Sequence, residues 1–311
     1  MKVIFMGTPN FSVNVLDKIN KEHEVTLVVT QPDSYNYRKK VSVYSPVKEY
    51  ALAHNLKVFQ PEKLKDEMDV ILNTPCDIIV TAAYGQFVPS KLLEYPKYKA
   101  INVHGSLLPK YRGGAPIQRA IINGEKVTGI TIMYMAKKMD AGDIIKKEEL
   151  EILDSDNQET LFNKLSILGS NMILGVLEKI EKGEVERIPQ DENEATFSYN
   201  LTKEDELINF NKDARSVFNQ IRGLNPNPGA YFVIENIPIK VYNSRVEDKV
   251  STYGEGVISG VYKDHFEVTC AKGSVVSILE VQLPSKNKMS ARDFLNGQGK
   301  KIIEVGKKIG E

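Results

Sequence analysis

Lys2-Val3-Ile4-Phe5-Met6-Gly7-Thr8-Pro9-Asn10-Phe11 is the stretch on which the fold turns. Residues 3–6 form an apolar run too short for a helix and stopped by a glycine turn, the pattern of a strand buried on both faces. Gly7-Thr8-Pro9 breaks the strand, and Asn10 can cap a helix whose apolar positions include Phe11, Val15, Leu16 and Ile19. Outward from this unit the pattern repeats. Strand-like runs recur at residues 25–30, 57–60, 77–83, 100–104 and 129–135, and Ser45 before Pro46 predicts a capped helix reaching residue 55. Such alternation defines an α/β, Rossmann-like parallel sheet covered on both faces. The first turn lacks the second and third glycines of a dinucleotide fingerprint, so the shape comes without a case for a nicotinamide cofactor.

Beyond residue 150 the pattern changes. Asp156, with Glu159 three residues on, reads as a capping box for a long helix with a stripe of Leu161, Leu165, Leu168, Met172 and Val176. Residues 182–202 are polar and charged, as in a linker. Residues 213–223 read as a helix, followed by short β-rich runs at 230–234, 239–242, 256–261, 265–270 and 275–281. Turn residues separate these runs as in a small, OB-like β-barrel. A short helix near 290–295 precedes a basic tail. The expected organisation is a catalytic domain at 1–188, a linker at 189–205 and a β-barrel domain at 206–311.

Lys plus Arg and Asp plus Glu both number 41, so contact with nucleic acid would have to be local. No apolar run approaches the roughly 20 residues that span a bilayer, and the start is too short for a signal peptide; the expectation is a cytoplasmic monomer without a membrane partner. Cys76 and Cys270 stand far apart in no metal-ligand spacing and read as reduced core residues. No metal is expected.

The chemistry concentrates in Ile101-Asn102-Val103-His104-Gly105-Ser106-Leu107-Leu108-Pro109-Lys110-Tyr111-Arg112-Gly113-Gly114. Strand alternation sends Asn102 and His104 to one side and Ile101 and Val103 to the other. Gly105 ends the strand at the carboxyl edge of the sheet, where ligands of open α/β sheets bind. An amide beside an imidazole suits acyl transfer: the amide donates to a developing oxyanion and the imidazole moves a proton. A histidine at a strand end is by itself more often a hydrogen-bonded surface residue, which is how His23, His54 and His265 read.

The surrounding string overturns that default for His104. Asn-x-His-x-Ser-Leu-Leu-Pro followed by Tyr-Arg-Gly resembles the formyl-folate signature of the methionyl-tRNA formyltransferase family, which is shared by enzymes that formylate nucleotide precursors and amino sugars. The resemblance continues in Asp140-Ala141-Gly142-Asp143, in the first turn, in Thr30-Gln31-Pro32-Asp33, and through Val58 to Leu64. In the second half it includes Ile221 to Pro226, Pro228-Gly229-Ala230-Tyr231 and Met289 to Gly297. It implies Asn102, His104 and Asp140 at the reacting centre and Ser106, Leu107, Leu108 and Pro109 along the folate site. It also implies 10-formyltetrahydrofolate as co-substrate and the α-amino group of initiator methionyl-tRNA as acceptor. A nucleotide-precursor enzyme would lack the second domain. An amino-sugar formyltransferase and an RNA-binding protein without activity are the rival readings. Aromatics interleave with basic residues in Asp33-Ser34-Tyr35-Asn36-Tyr37-Arg38-Lys39-Lys40, so Arg38, Lys39 and Lys40 are the candidate tRNA contacts. Relatives usually carry a glycine-rich loop there, one residue longer, and a tryptophan where Asn227 stands.

Overall fold

The computed structural model describes residues 1–36 and 40–310. The chain divides into two compact units: Met1–Pro116, Val127–Glu151 and Phe162–Tyr199 form the first, and Ile117–Lys126, Ile152–Leu161 and Asn200–Glu311 the second.

The first unit is laid down as β1 (Lys2–Gly7), α1 (Asn10–Glu22), β2 (Glu24–Val29), β3 (Ser34–Asn36), β4 (Val41–Val43), α2 (Pro46–Ala53) and β5 (Val58–Phe59). There follow α3 (Asp69–Leu72), β6 (Ile78–Ala82), α4 (Ser90–Glu94), β7 (Ala100–His104), β8 (Val127–Tyr134), β9 (Ile144–Glu151) and α6 (Gln158–Lys182), with α5 (Pro116–Ile122), all but its first residue in the second unit, between β7 and β8. Seven strands make one sheet in the order β5-β2-β1-β6-β7-β8-β9. The first five are parallel, and β1 is buried from Val3 through Met6 as its composition demands. Gly7 lets α1 close on that strand, since a Cβ there would lie 2.6 Å from Ser12 Cβ.

Three details depart from expectation. The sheet is not parallel throughout: β8 and β9 are antiparallel to their neighbours. The connection from β7 carries only the seven-residue α5, which belongs to the second unit. No helix returns the chain along the sheet, so β8 starts at the edge where β7 ended. Asn10 is the first residue of α1 rather than its cap, which falls on Pro9 without a side-chain bond. The capping box of α6 is formed by Asn157 and Thr160, whose side chains bond each other's backbone N–H at 2.9 and 3.0 Å, and not by Asp156 and Glu159. Ser45 does cap α2, accepting from Lys48 N at 3.1 Å, with Pro46 at the first helical position.

Helix α6 is long and apolar enough by length and composition to cross a membrane. Here its stripe is core, with Leu161, Leu165, Met172, Ile173, Val176 and Leu177 at 0–1% exposure.

The second unit adds α7 (Lys203–Glu206), α8 (Ala214–Gly223), β10 (Ala230–Ile234), β11 (Ile237–Val250), β12 (Ile258–Val261), β13 (Phe266–Thr269), β14 (Ser274–Gln282), β15 (Met289–Ser290), α9 (Ala291–Asn296) and α10 (Gly299–Ile302). The strands form an antiparallel sheet ordered β10-β11-β14-β13-β12, with β15 on β14. Its core includes Phe232, Ile239, Val241, Phe266, Val276, Ile278 and Phe294. The tail closes this sheet. Gly310 N donates to Val233 O of β10, while Ile309 N donates to Gly256 O and Ile258 N to Lys307 O on the β12 side. Both cysteines are unpaired, and burial pushes the Cys270 thiol up to about 12.

Candidate active site

Strand β7 is flanked by β6 and β8 and alternates as its sequence requires. Ile101 and Val103 are buried, and a Cβ on Gly169 of α6 would come within 3.0 Å of Val103 Cγ1, which fixes the face that α6 covers. Asn102 and His104 project to the other face. Thr81 is the parallel partner of Asn102 in β6, and its hydroxyl donates to Asn102 Oδ1 at 2.7 Å. That bond engages the amide oxygen and leaves the NH2 to donate elsewhere.

His104 is 6% exposed. Its Nε2 lies 2.9 Å from Tyr111 O, and a carbonyl only accepts, so Nε2 carries a proton and donates. Its Nδ1 therefore faces the carboxylate of Asp140, with Oδ2 at 3.8 Å. This separation suits an ion pair and is too long for a direct hydrogen bond. Asp140 has a left-handed backbone (φ 51°), and its Oδ2 accepts from Gly113 N at 2.8 Å. The turn after it requires glycine, because a Cβ on Gly142 would stand 1.8 Å from Tyr134 O. The structure thus brings Asn102, His104 and Asp140 to one sheet edge.

The loop that follows β7 is held from within. The Ser106 hydroxyl donates to Lys110 O at 2.7 Å; Thr131 Oγ1 donates to Ser106 O at 2.7 Å and accepts from Leu108 N at 3.0 Å. Ser106 and Leu108 are fully buried, so their side chains shape the loop, whereas Leu107 and Pro109 keep accessible surface. Residues 196–198 run parallel to this loop. Tyr111 N donates to Thr196 Oγ1 at 2.9 Å, Arg112 N to Thr196 O at 2.9 Å, and Ser198 N to Arg112 O at 2.7 Å. Arg112 is fully buried, and its Nη2 meets Glu192 Oε1 at 2.8 Å. Hydrogen bonds from Arg112 and then Lys138 hold the Glu192 carboxyl down at about 2.

Two residues at this site escaped the sequence reading. Thr81 sits in a strand whose composition marks only burial, although its place two residues before the end of the run puts it level with Asn102. Gln190 lies in the polar stretch that reads as linker, and nothing local marks its contacts with Arg112 and the Asp140 turn.

Of the candidate RNA contacts, Arg38 and Lys39 lie outside the described residues. Lys40 is exposed, has a positive φ of 52° and leads into β4. Strands β3 and β4 pair antiparallel in a register of Ser34 with Val43 and Asn36 with Val41, leaving Tyr35 and Val41 about half exposed. In the second unit Lys307 is engaged by Glu235 and Lys288 lies 3.6 Å above the Tyr242 ring. The fold also assembles a group of metal-ligating types that sequence spacing does not show: Glu247, His265 and Glu267. Lys249 lies 2.6 Å from Glu267 and Arg245 2.7 Å from Glu247, so cations already meet both carboxylates.

The fold is that of a formyl transferase: the formyl transferase family model matches residues 1–177, and that of the formyl transferase C-terminal domain matches residues 200–299. Within that class, a methionyl-tRNA formyltransferase of Staphylococcus aureus (strain MW2) is 47% identical over 310 residues, covering 99% of each chain, and one from strain RF122 matches equally. The chain belongs to the methionyl-tRNA formyltransferase family. Among solved structures, an N-formyltransferase from Helicobacter canadensis in complex with folinic acid and dTDP-3-aminofucose has the same fold. It superposes with a TM-score of 0.70 at 20% identity, covering 89% of this chain and 98% of that one.

Proposed function

We propose that this protein transfers the formyl group of 10-formyltetrahydrofolate to the α-amino group of methionine on initiator methionyl-tRNA, giving the formylated aminoacyl-tRNA that starts translation. The observation that carries this reading is the end-to-end match, at 47% identity over both domains, to enzymes named for that reaction. The geometry of Asn102, His104 and Asp140 supports it at the level of chemistry.

In the mechanism we favour, the neutral amine attacks the formyl carbon, which is amide-like in the donor. The Asn102 NH2, turned outward by Thr81, donates to the oxygen as it gains charge in the tetrahedral intermediate. The proton lost by the attacking nitrogen passes to the imidazole–carboxylate pair, where Nδ1 of His104 faces Asp140. The same pair returns a proton to the folate nitrogen as the C–N bond breaks, so one proton leaves one nitrogen and one arrives at the other. Leu107 and Pro109 offer the folate accessible surface, while Ser106 and Leu108 hold the loop that presents it. Arg38, Lys39 and Lys40 meet the acceptor stem. The protein acts as a cytoplasmic monomer.

The direct test offers 10-formyltetrahydrofolate with either methionyl-tRNA or an amino-sugar nucleotide; formylation of the sugar alone would overturn the reading. Loss of one charge-stabilising donor costs about 3 kcal/mol, or about a hundredfold in rate. Asn102→Ala and His104→Ala are each expected to lower kcat by about that factor, measured by single-turnover formylation.

A further inference from the structure

We propose that Gln190 is a positioning residue for the formyl transfer, splinting the Asp140 turn to the buried Arg112 so that the carboxylate stays on His104. The inference rests on the reading of Asp140 as part of the reacting cluster.

Gln190 has its amide fully committed. Its Oε1 accepts from Arg112 Nε at 3.1 Å and Nη2 at 2.9 Å, and its Nε2 donates to Asp140 O and Gly142 O, both at 2.8 Å. A guanidinium only donates and a carbonyl only accepts, so each end of the amide has one permissible assignment. Gln190 follows an isolated bridge to β9: Ile188 and Ile144 exchange backbone bonds of 2.8 and 3.0 Å, and the side chain two residues on reaches the turn. Its anchor is rigid, because Arg112 is fully buried and its own backbone is bonded to residues 196 and 198.

The turn needs such a hold. Asp140 occupies the left-handed region, an unfavourable backbone for a residue with a side chain. Its carboxylate accepts from Gly113 N and stands 3.8 Å from His104 Nδ1. The two main-chain bonds from Gln190 bracket Asp140 and Gly142 and so set where that carboxylate points. Removing them frees the turn without touching a reacting atom, and displacements near 1 Å in such a group can cost on the order of a hundredfold in rate.

Gln190→Glu is the sharp test. The substitution keeps the volume and strengthens the contact with Arg112, yet it sets an oxygen against the carbonyls of residues 140 and 142 where two donated bonds had been. Turnover of methionyl-tRNA with 10-formyltetrahydrofolate should fall ten- to a hundredfold in kcat, with KM for both substrates within about twofold and the pH profile of kcat altered. In the double variant with Asp140→Asn, the loss should be no greater than for Asp140→Asn alone. Wild-type kcat in Gln190→Glu, a loss confined to KM, or losses that multiply with Asp140→Asn would each overturn the proposal. Wild-type turnover in Asp140→Asn overturns the parent reading of Asp140 as well, which separates the two failures. Thermal unfolding monitors folding, and Gln190→Ser, for which the same kcat–KM split is expected, replaces Gln190→Glu should that variant not fold.

Discussion

At the scale of single residues, the site is built from side chains whose partners leave them one orientation. Asn102 illustrates this. An amide can flip end for end at little intrinsic cost, and the Thr81 hydroxyl, which could equally accept, holds this orientation by donating to Oδ1. Thr81→Val preserves shape and removes the donor, so Asn102 can present its oxygen toward the developing oxyanion. Since a hydrogen bond of this kind contributes about 1 kcal/mol net, kcat should drop about three- to tenfold while KM for the folate holds. Single-turnover rates would show it, and unchanged rates would mean that Thr81 does not set the amide. His104 is fixed in the same manner by Tyr111 O, which assigns Nε2 as donor and turns Nδ1 to Asp140.

At the scale of elements, local chemistry set where several helices begin, and side-chain geometry settled the exact cap. Ser45, Asp213 and Ser290 each accept from a backbone N–H at the start of α2, α8 and α9, as their residue types favour. At α7 the cap is joined to an ion pair. Asp205 accepts from Thr202 N at 2.8 Å and takes both Nη atoms of Arg119 at 2.7 Å. The hydrogen bond from Arg119 and the backbone bond from Thr202 hold its carboxyl below the ordinary value of 3.8. A depressed folded pKa means that this stabilisation is fully present above the unfolded value, near pH 4, and is lost as pH falls through the folded one. Stability followed by denaturant titration should therefore decline below about pH 4. In Asp205→Asn the decline should be shallower, and stability at neutral pH should already be lower. An identical acid limb in both proteins would remove Asp205 from the account.

Strand β9 shows why one element was missed altogether. Ile144–Glu151 carries charge at most positions and lies at the edge of the seven-stranded sheet. Charged side chains keep an edge strand from pairing with other chains, and the same charges erase the apolar alternation by which a strand is recognised.

At the scale of the whole molecule, the basic tail has a structural task that charge alone conceals. Gly306, Lys307, Ile309 and Gly310 contribute the four backbone bonds that tie the tail to β12, its preceding turn and β10, and Lys307 pairs with Glu235. At about 1 kcal/mol for each bond, less the cost of ordering the segment, a chain ending at Val305 should lose about 2–4 kcal/mol of stability in the second unit. Calorimetry of the truncated chain would read this directly; an unchanged unfolding profile would show that the sheet is held without the tail.

The sequence by itself determined the α/β alternation of the first unit, the β-rich character of the second, and the placing of Asn102 and His104 together at a sheet edge. Each of these follows from local periodicity, which a short window of residues contains. Its resemblance to a formyl-folate signature supplied the chemistry and brought in Asp140. Only the tertiary structure decided that Asp140 faces Nδ1, that Thr81 orients the amide, and that Gln190, out of a stretch read as linker, holds the turn between them. Those are contacts between residues 21 to 78 positions apart. A polar side chain carries no local sign of the distant group that will satisfy it; the partner is chosen when the sheet and its loops close and every buried donor must find an acceptor.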